Sequence, residues 1–334
     1  IIFFSVEEVR KLLDEMQPSQ LRALTVAEQE NTFFAQQQLN WRMAEFERST
    51  CEREVASRFP WNFWVSVVGN WTDQREADHN VGYTAPTLGC MTGFDGRIAE
   101  NLYLGLAAEY AHVFFNWKSD RGNATINRVS AGPYVSYIGK AGYVNASVLG
   151  SFAHFHTERH IPFLERTASS THNGETLLPH LEVGLILHPA PQVTFSPFGT
   201  FDYLYGWEDG FQETGAESMN FSIASSTSRM FRSELGLKIS KCSVRSHTKW
   251  VHDLKASWVY ENRLHGKDLS ATFRQFPCSF TVEGLFPSRS FIDLGMGLTF
   301  LFKKDRFATS LRYEGQFGEG VTLQSIIAQH LTRF

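Results

Sequence analysis

The side chains with the most obvious chemical potential are histidines and carboxylates. His154, His156 and His160 occur within HFHTERH. Alternate strand residues share a face, so this spacing gathers imidazoles, which bind transition metals. The ordinary alternative is a polar strand end with His160 already in a loop, and it is preferred here. No metal is assigned. His172, His180 and Asp209 are the residue types of acid–base hydrolysis. Nothing in their spacing places them together, and loop solvation is the simpler role. GxSxG, a phosphate loop, HExxH and a dinucleotide fingerprint do not occur, so neither an enzyme nor a cofactor is expected. Cys51, Cys90, Cys242 and Cys278 have no CxxC or zinc spacing.

Charges within apolar stretches say more. From Trp61 onward polarity alternates with period two, as in strands with one apolar and one wet face. About twelve strands are expected, near 61–72, 84–97, 100–117, 124–138, 142–157, 176–188, 192–207, 229–240, 250–263, 288–302, 306–317 and 321–334. The seventh is the clearest, with Val193, Phe195, Pro197, Phe201, Tyr203, Tyr205 and Trp207 opposite Thr194, Ser196, Thr200 and Asp202. In the final hairpin, Phe307, Thr309, Leu311 and Tyr313 oppose Ala308, Ser310, Arg312 and Glu314. Glu109, Arg128, Glu182, Asp202, Arg232, Glu234, Glu261, Asp293, Arg312 and Glu314 all take the parity opposite the apolar face. A soluble sandwich would alternate too, with its apolar faces packed inward. Here aromatics gather toward strand ends (Trp71, Tyr137, Tyr205, Trp207, Tyr260), as interfacial girdles do. A charge facing lipid near the midplane costs ~2–4 kcal/mol, so the missing outward charges favour a transmembrane barrel with a wet lumen. The ten charged residues are then pore-lining.

Connections agree. Short ones at 99–101, 139–141, 189–191 and 303–305 alternate with long ones at 73–83, 158–175, 208–228 and 264–287. No apolar run approaches the ~18 residues of a spanning helix, and alternation dilutes hydropathy in a barrel. The net charge of −4, with Lys and Arg scattered, suggests no nucleic-acid partner.

Residues 1–58 differ. VEEVRKLLDEM has helical spacing and breaks at Pro18. From Ser19, a candidate N-cap, the chain runs to about 48 without Gly or Pro. Its polar residues, among them Gln37, Gln38, Asn40 and Arg42, surround most of the helix. Such a helix suits a polar channel better than an apolar core. Roughly thirty residues span ~45 Å, a bilayer with its headgroups. The division expected is 1–58 as helical linker and pore helix, and 59–334 as an outer-membrane β-barrel. The absence of an initial Met and of a signal peptide reads as the C-terminal part of a longer exported protein.

Residues 197–240 read PFGTFDYLYGWEDGFQETGAESMNFSIASSTSRMFRSELGLKIS. With its F-x-E-x-G-A segment and S-E-L-G-L strand, this resembles the autotransporter (type V secretion) β-domain. Gly89-x3-Gly93-x-Asp95, LYLGLAAEYAH and RYEGQFGEG match in order, over roughly residues 20–334. The resemblance implies a twelve-stranded barrel in the outer membrane of a Gram-negative bacterium, with its C-terminus periplasmic and a helix in the pore. It implies export or surface display of an N-terminal passenger, and barrel-assembly machinery and periplasmic chaperones as further partners. The barrel is expected to be a monomer in outer-membrane lipid. The alternative function is an outer-membrane adhesin or porin-like barrel without a passenger, which would have no use for the polar helix. Phe334 takes the place of the family's terminal assembly signal. The family's usual ending is not kept, since Thr332 and His330 stand at its aromatic and apolar places, and the lipid-facing parity of the last strand stays open. In serine-protease autotransporters an Asn-Asn pair precedes a similar L-N-x-R-M segment and cuts the chain by cyclisation. Gln37-Gln38 stands there in this chain, so no cleavage by that route is expected; Asn31 and Asn40 are the remaining candidates. Cys51 and Cys242 are expected near each other at the periplasmic mouth, where a disulfide could form.

Overall fold

A computed structural model describes residues 5–6, 18–47, 60–76, 81–245, 248–266, 268–275, 279–283, 288–303 and 305–334. After a 3-10 turn, Pro18–Leu21, comes one long helix, α1 (Arg22–Glu47). The expected helical segment VEEVRKLLDEM (6–16) lies, apart from Val6, outside the described residues. Twelve long antiparallel strands follow. They are β1 (Trp61–Gln74), β2 (Tyr83–Ala99), β3 (Leu102–Trp117), β4 (Gly122–Ile138), β5 (Gly142–Ile161) and β6 (Arg166–Leu185). The second half is β7 (Val193–Glu208), β8 (Ser226–Arg245), β9 (Thr248–His265), β10 (Ser288–Phe302), β11 (Phe307–Gly318) and β12 (Val321–Arg333). Each strand pairs with its neighbours in sequence, and β1 closes on β12 from Asn62↔Arg333 to Gln74↔Val321. Closure removes both sheet edges, which a bilayer interior requires. A short strand, Leu187–Ala190, folds back on the start of β7.

The pleat sorts the side chains as the alternation requires. Large apolar residues line the outside, including Trp71, Leu106, Leu235, Leu254 and Leu311 at 50–64% exposure. All ten charged residues singled out in the strands are buried on the inside. In β12, Ile326, Ala328 and His330 face outward and Ile327, Gln329 and Leu331 inward, which answers the parity question. His330 shares a hydrogen bond with the equally outward Thr309 hydroxyl (2.9 Å).

The turns at 100–101 and 139–141 and both barrel termini share one end; the other end carries the long connections after β1, β7 and β9, together with tight turns at 118–121 and 319–320. There the expected loop at 158–175 is instead a continuation of the β5–β6 hairpin, paired from Glu158↔Ser169 to Ile161↔Arg166. Its inner face has a core of its own, where Ile161 and Ala168 pack on Ala216 and Arg159 grips the Glu213 carboxylate at 2.6 and 2.8 Å. His160 is therefore in the strand, not a loop. Segments 208–228 and 264–287 also hold structure. Phe211–Gln212, Phe221–Ile223, Asp268–Phe273 and Ser279–Glu283 form a small antiparallel cap sheet. Phe221, Ile223, Leu269 and Ala271 of the cap pack with Leu21 and Leu24 at the start of the helix. Cys90 is an exposed free thiol, whereas Cys242, buried near the turn end of β8, is disulfide-bonded. Cys51 and Cys278 lie outside the described residues.

Candidate functional site: the helix in the barrel lumen

Twenty-six residues at 1.5 Å each make α1 roughly 39 Å long, enough to cross a bilayer core. It has no apolar stripe, yet its side chains are buried on every face; Asn40 and Phe46 are the two partly exposed ones. That combination is stable only where each buried polar group finds a partner. The barrel wall supplies them from all sides.

Every one of the twelve strands reaches the helix with a polar side chain. Ser66 of β1 donates to the Gln38 carbonyl (2.9 Å), and Gln38 Nε2 donates to Glu109 of β3 (2.9 Å). Arg42 forms a two-pronged pair with Asp95 of β2 (2.7 and 2.8 Å). Arg128 of β4 donates to Glu28 (3.1 Å), Ser147 of β5 to Gln36 (2.8 Å), and Thr32 meets Thr176 of β6 (3.4 Å). Thr25 donates to Glu208 of β7 (3.0 Å), and Gln29 joins Ser228 of β8 and Arg263 of β9 (both 3.0 Å). Arg289 of β10 donates to Glu30 (3.0 Å), and Arg312 of β11 to Glu45 (2.6 Å). Ser325 of β12 donates to Gln37 (3.4 Å).

These contacts belong to larger networks. Asp95 also accepts from Asn62 (2.7 Å) and from Tyr134 (2.6 Å), whose hydroxyl accepts from the Trp64 indole (2.9 Å). Gly93 and Gly105 make room for those two rings; a Cβ at either position would collide with Trp64 or Tyr134. This gives the Gly93-x-Asp95 motif a physical meaning. Across the lumen Lys255 lies 2.8 Å from Glu234, 3.2 Å from Asp293 and 2.6 Å from Glu314, and Glu314 accepts from the Trp41 indole (2.5 Å). Nearer the cap, Arg232 and Arg289 share Glu261 (2.8 and 2.9 Å), with Arg232 stacked 4.6 Å over the Phe33 ring. At the turn end Lys238 binds Glu182 (2.6 Å) and lies 3.7 Å from Glu47.

Glu109, Arg128, Arg312 and Glu314 thus bind the helix directly. Arg232 stacks on Phe33 of the helix, and Glu182, Asp202, Glu234, Glu261 and Asp293 belong to the surrounding wall. On the helix, Gln37, Gln38 and Arg42 reach strands, while the Asn40 carboxamide accepts from Gln36 (2.8 Å). Phe334 is half exposed beside the β1 start, its N–H donating to the Trp61 carbonyl (2.9 Å). Sequence reasoning missed Asp95 as a helix anchor, Lys255 and Lys238 as wall cations, and Glu28, Glu30 and Glu45 as their helical partners. The parity of Lys255, shared with Glu261, was the available signal.

The histidines do not converge. His154, His156 and His160 point outward on β5, to Asn173 (2.8 Å), Glu158 (4.0 Å) and Asp120 (3.5 Å) respectively. Among the described residues no group of three potential ligands is placed to hold a metal. His172 is stacked between Phe155 and Phe211 toward the cap, His180 pairs with Asp202 deep in the lumen, and Asp209 sits at the rim.

Residues 63–314 match the family described as Autotransporter beta-domain. Outer membrane protein A of Rickettsia rickettsii is 25% identical over 251 residues, which are 71% of this chain and 11% of that protein. The Rickettsia conorii protein of the same name is 24% identical over 251 residues, 71% of this chain and 12% of its own. The chain thus spans about a tenth of the length of these relatives. In architecture it is similar to the translocator domain of autotransporter NalP from Neisseria meningitidis (TM-score 0.70, 14% identity, 91% of this chain and 98% of that one). The β-domain of the Bordetella autotransporter BrkA is also similar (TM-score 0.63, 14% identity, 82% and 100% covered). With three quarters of its length in the family match and a closed barrel around a polar helix, the chain belongs to the Autotransporter beta-domain family.

Proposed function

We propose that this chain is the translocator of an autotransporter, anchored in the bacterial outer membrane, which exports an N-terminal passenger and displays it at the surface. One observation carries the reading: a polar helix hydrogen-bonded to every strand fills a lumen that would otherwise be an aqueous pore. In this reading the loop end and the cap face the outside, and the turn end and C-terminus face the periplasm. The start of the helix, Pro18–Leu21, then lies under the cap at the cell-surface end. The inward charges have two tasks that need the same residue types. During export they give a passing polypeptide no apolar surface to adhere to; afterward they hold α1. The domain would transport and anchor rather than catalyse turnover. Barrel-assembly machinery and periplasmic chaperones would bring it to the membrane in monomeric form, with Phe334 exposed for recognition.

The test is electrical. In planar bilayers the intact domain should conduct poorly, and deletion of residues 20–48 should raise conductance sharply. Equal conductance with and without that segment sinks the proposal, and it would favour the adhesin reading.

A further inference from the structure

Two basic side chains stand together on the outside of the barrel near its turn end. Lys241 of β8 pairs in register with His252 of β9, and both are exposed on the lipid face. Side chains so paired start from Cβ atoms about 5 Å apart. Among the described residues neither side chain has a hydrogen bond or an ion pair. The carboxylates of these strands and their neighbours offer none, since Glu234, Asp253, Glu261, Asp293 and Glu314 are all buried in the lumen. Asp305, in the turn between β10 and β11, is taken by Lys249 (2.5 Å). Lys303 and Arg306 of that turn lie 5.3 and 5.8 Å from the centre of the Phe307 ring and add to the positive charge of this end.

A groove in the outer wall begins at His252. It holds about 560 Å³ and is walled by Leu254, Met296, Leu298, Leu311, Tyr313 and Ile326. Its floor is Gly297 and the backbone of Asp253 and Arg312, whose side chains turn into the lumen. The one polar group on the walls, the Tyr313 hydroxyl, already donates to Gln324 (3.2 Å). His252 lies near the turn end of β9, whereas Met296, Tyr313 and Ile326 lie midway along β10, β11 and β12. The groove therefore runs from the membrane boundary toward its middle. Trp250, the preceding outward residue of β9, meets Phe300 edge-on with ring centres 4.6 Å apart, as aromatic residues at such a boundary do.

We propose that this face binds one anionic phospholipid, its phosphate held by Lys241 and His252 and one acyl chain laid in the groove. A cation facing lipid is costly unless it reaches water or a phosphate, and the lysine stem can bend toward either. Phosphate oxygens accept from both the ammonium and an imidazole N–H. The walls, with no unsatisfied polar side chain, suit a hydrocarbon chain. The proposal rests on the barrel lying in a membrane, and it does not depend on the passenger.

The chain isolated from outer membranes, in neutral-detergent micelles, is titrated with phosphatidylglycerol and separately with phosphatidylethanolamine of the same acyl chains. Native mass spectrometry counts the bound lipid. One phosphatidylglycerol should bind about tenfold more tightly than phosphatidylethanolamine. Lys241→Gln should weaken it about fivefold, the attraction of one lysine for an anionic lipid surface, and leave phosphatidylethanolamine unchanged. Lys241→Gln together with His252→Gln should remove the preference. Leu298→Trp, which fills the groove, should weaken both lipids by a similar factor. Heat-modifiable gel migration should show a folded barrel in every variant, as these side chains lie on its outer surface. Equal binding of the two lipids by the wild type overturns the proposal, as does a preference that survives the double substitution. A mass of two chains that Leu298→Trp reduces to one assigns the face to a second copy and overturns it too. Unaltered binding in Leu298→Trp overturns the place given to the acyl chain.

Discussion

Arg42 offers the most direct measure of how firmly the wall holds the helix. Its guanidinium is buried, makes both prongs of the pair with Asp95, and reaches Glu45 on its own helix. Replacing it by alanine leaves two buried carboxylates short of a cation. Removing one partner of a buried ion pair costs about 3–5 kcal/mol. Asp95 would keep the Asn62 and Tyr134 donors and Glu45 would keep Arg312, so the low end, about 3 kcal/mol, applies. At 1.4 kcal/mol per tenfold, the balance between docked and undocked helix shifts roughly a hundredfold toward undocked. Single-channel recordings read this as the ratio of open to closed time. Arg42→Lys keeps the charge but loses the two-pronged geometry and should open the pore by about tenfold. Heat-modifiable gel migration should stay as in the wild type, because Trp64, Tyr134 and Asp95 still bind one another. An Arg42→Ala barrel that is intact and as closed as the wild type refutes the reasoning. Collapse of the barrel itself refutes it too, since the helix would then not be a separable part.

Met296 faces lipid midway along β10, so Met296→Arg should lower stability in micelles by about 2–4 kcal/mol; an unchanged urea midpoint contradicts the outward parity. Non-reducing peptide maps are expected to join Cys242 to Cys51, because the helix brings the chain to Glu47, 3.7 Å from Lys238 on the same strand as Cys242. A link to Cys278 overturns that expectation. Intact mass of the full-length protein from outer membranes should show no new N-terminus at Gln38, whose carboxamide is clamped between Ser66 and Glu109. A fragment starting there counts against the glutamine argument, and one starting at Trp41 implicates Asn40.

The barrel was readable because a strand's period of two is local: Glu109 and Tyr110 declare their faces without reference to any other strand. The helix was readable for a similar reason, since glycine and proline are absent and polar residues occur all round. What meets what was not readable. The contact between Gln38 and Glu109 depends on where twelve registers close, and no single segment encodes that. Phe211–Gln212 and Phe221–Ile223 are too short to show a period, so the sequence carries no signal for the cap sheet. The last strand confused the reading because Ile327 and Leu331 turn inward, where Ile327 packs with Trp41 and Val68. A lumen that is polar overall still keeps small apolar patches under the aromatic residues of the helix.

Polar contacts run the whole length of α1, and its two ends differ in what they add to them. At the turn end the grip is ionic, through Arg42, Glu45 and Glu47 against Asp95, Arg312 and Lys238. At the loop end Leu21 and Leu24 pack under the cap, beside the polar contacts of Arg22 with Ser226 and Thr25 with Glu208. A long apolar stripe would have adhered to any hydrophobic surface on the way and exposed itself on both sides of the membrane. Polar contacts avoid this, because each is exchanged against water at a net of only about 0.5–1.5 kcal/mol. Confinement among twelve strands then adds them together at the one depth where all their partners coincide. The apolar residues at the loop end are covered by the cap. Register along the pore is therefore set by polar and ionic contacts, which need no greasy lumen.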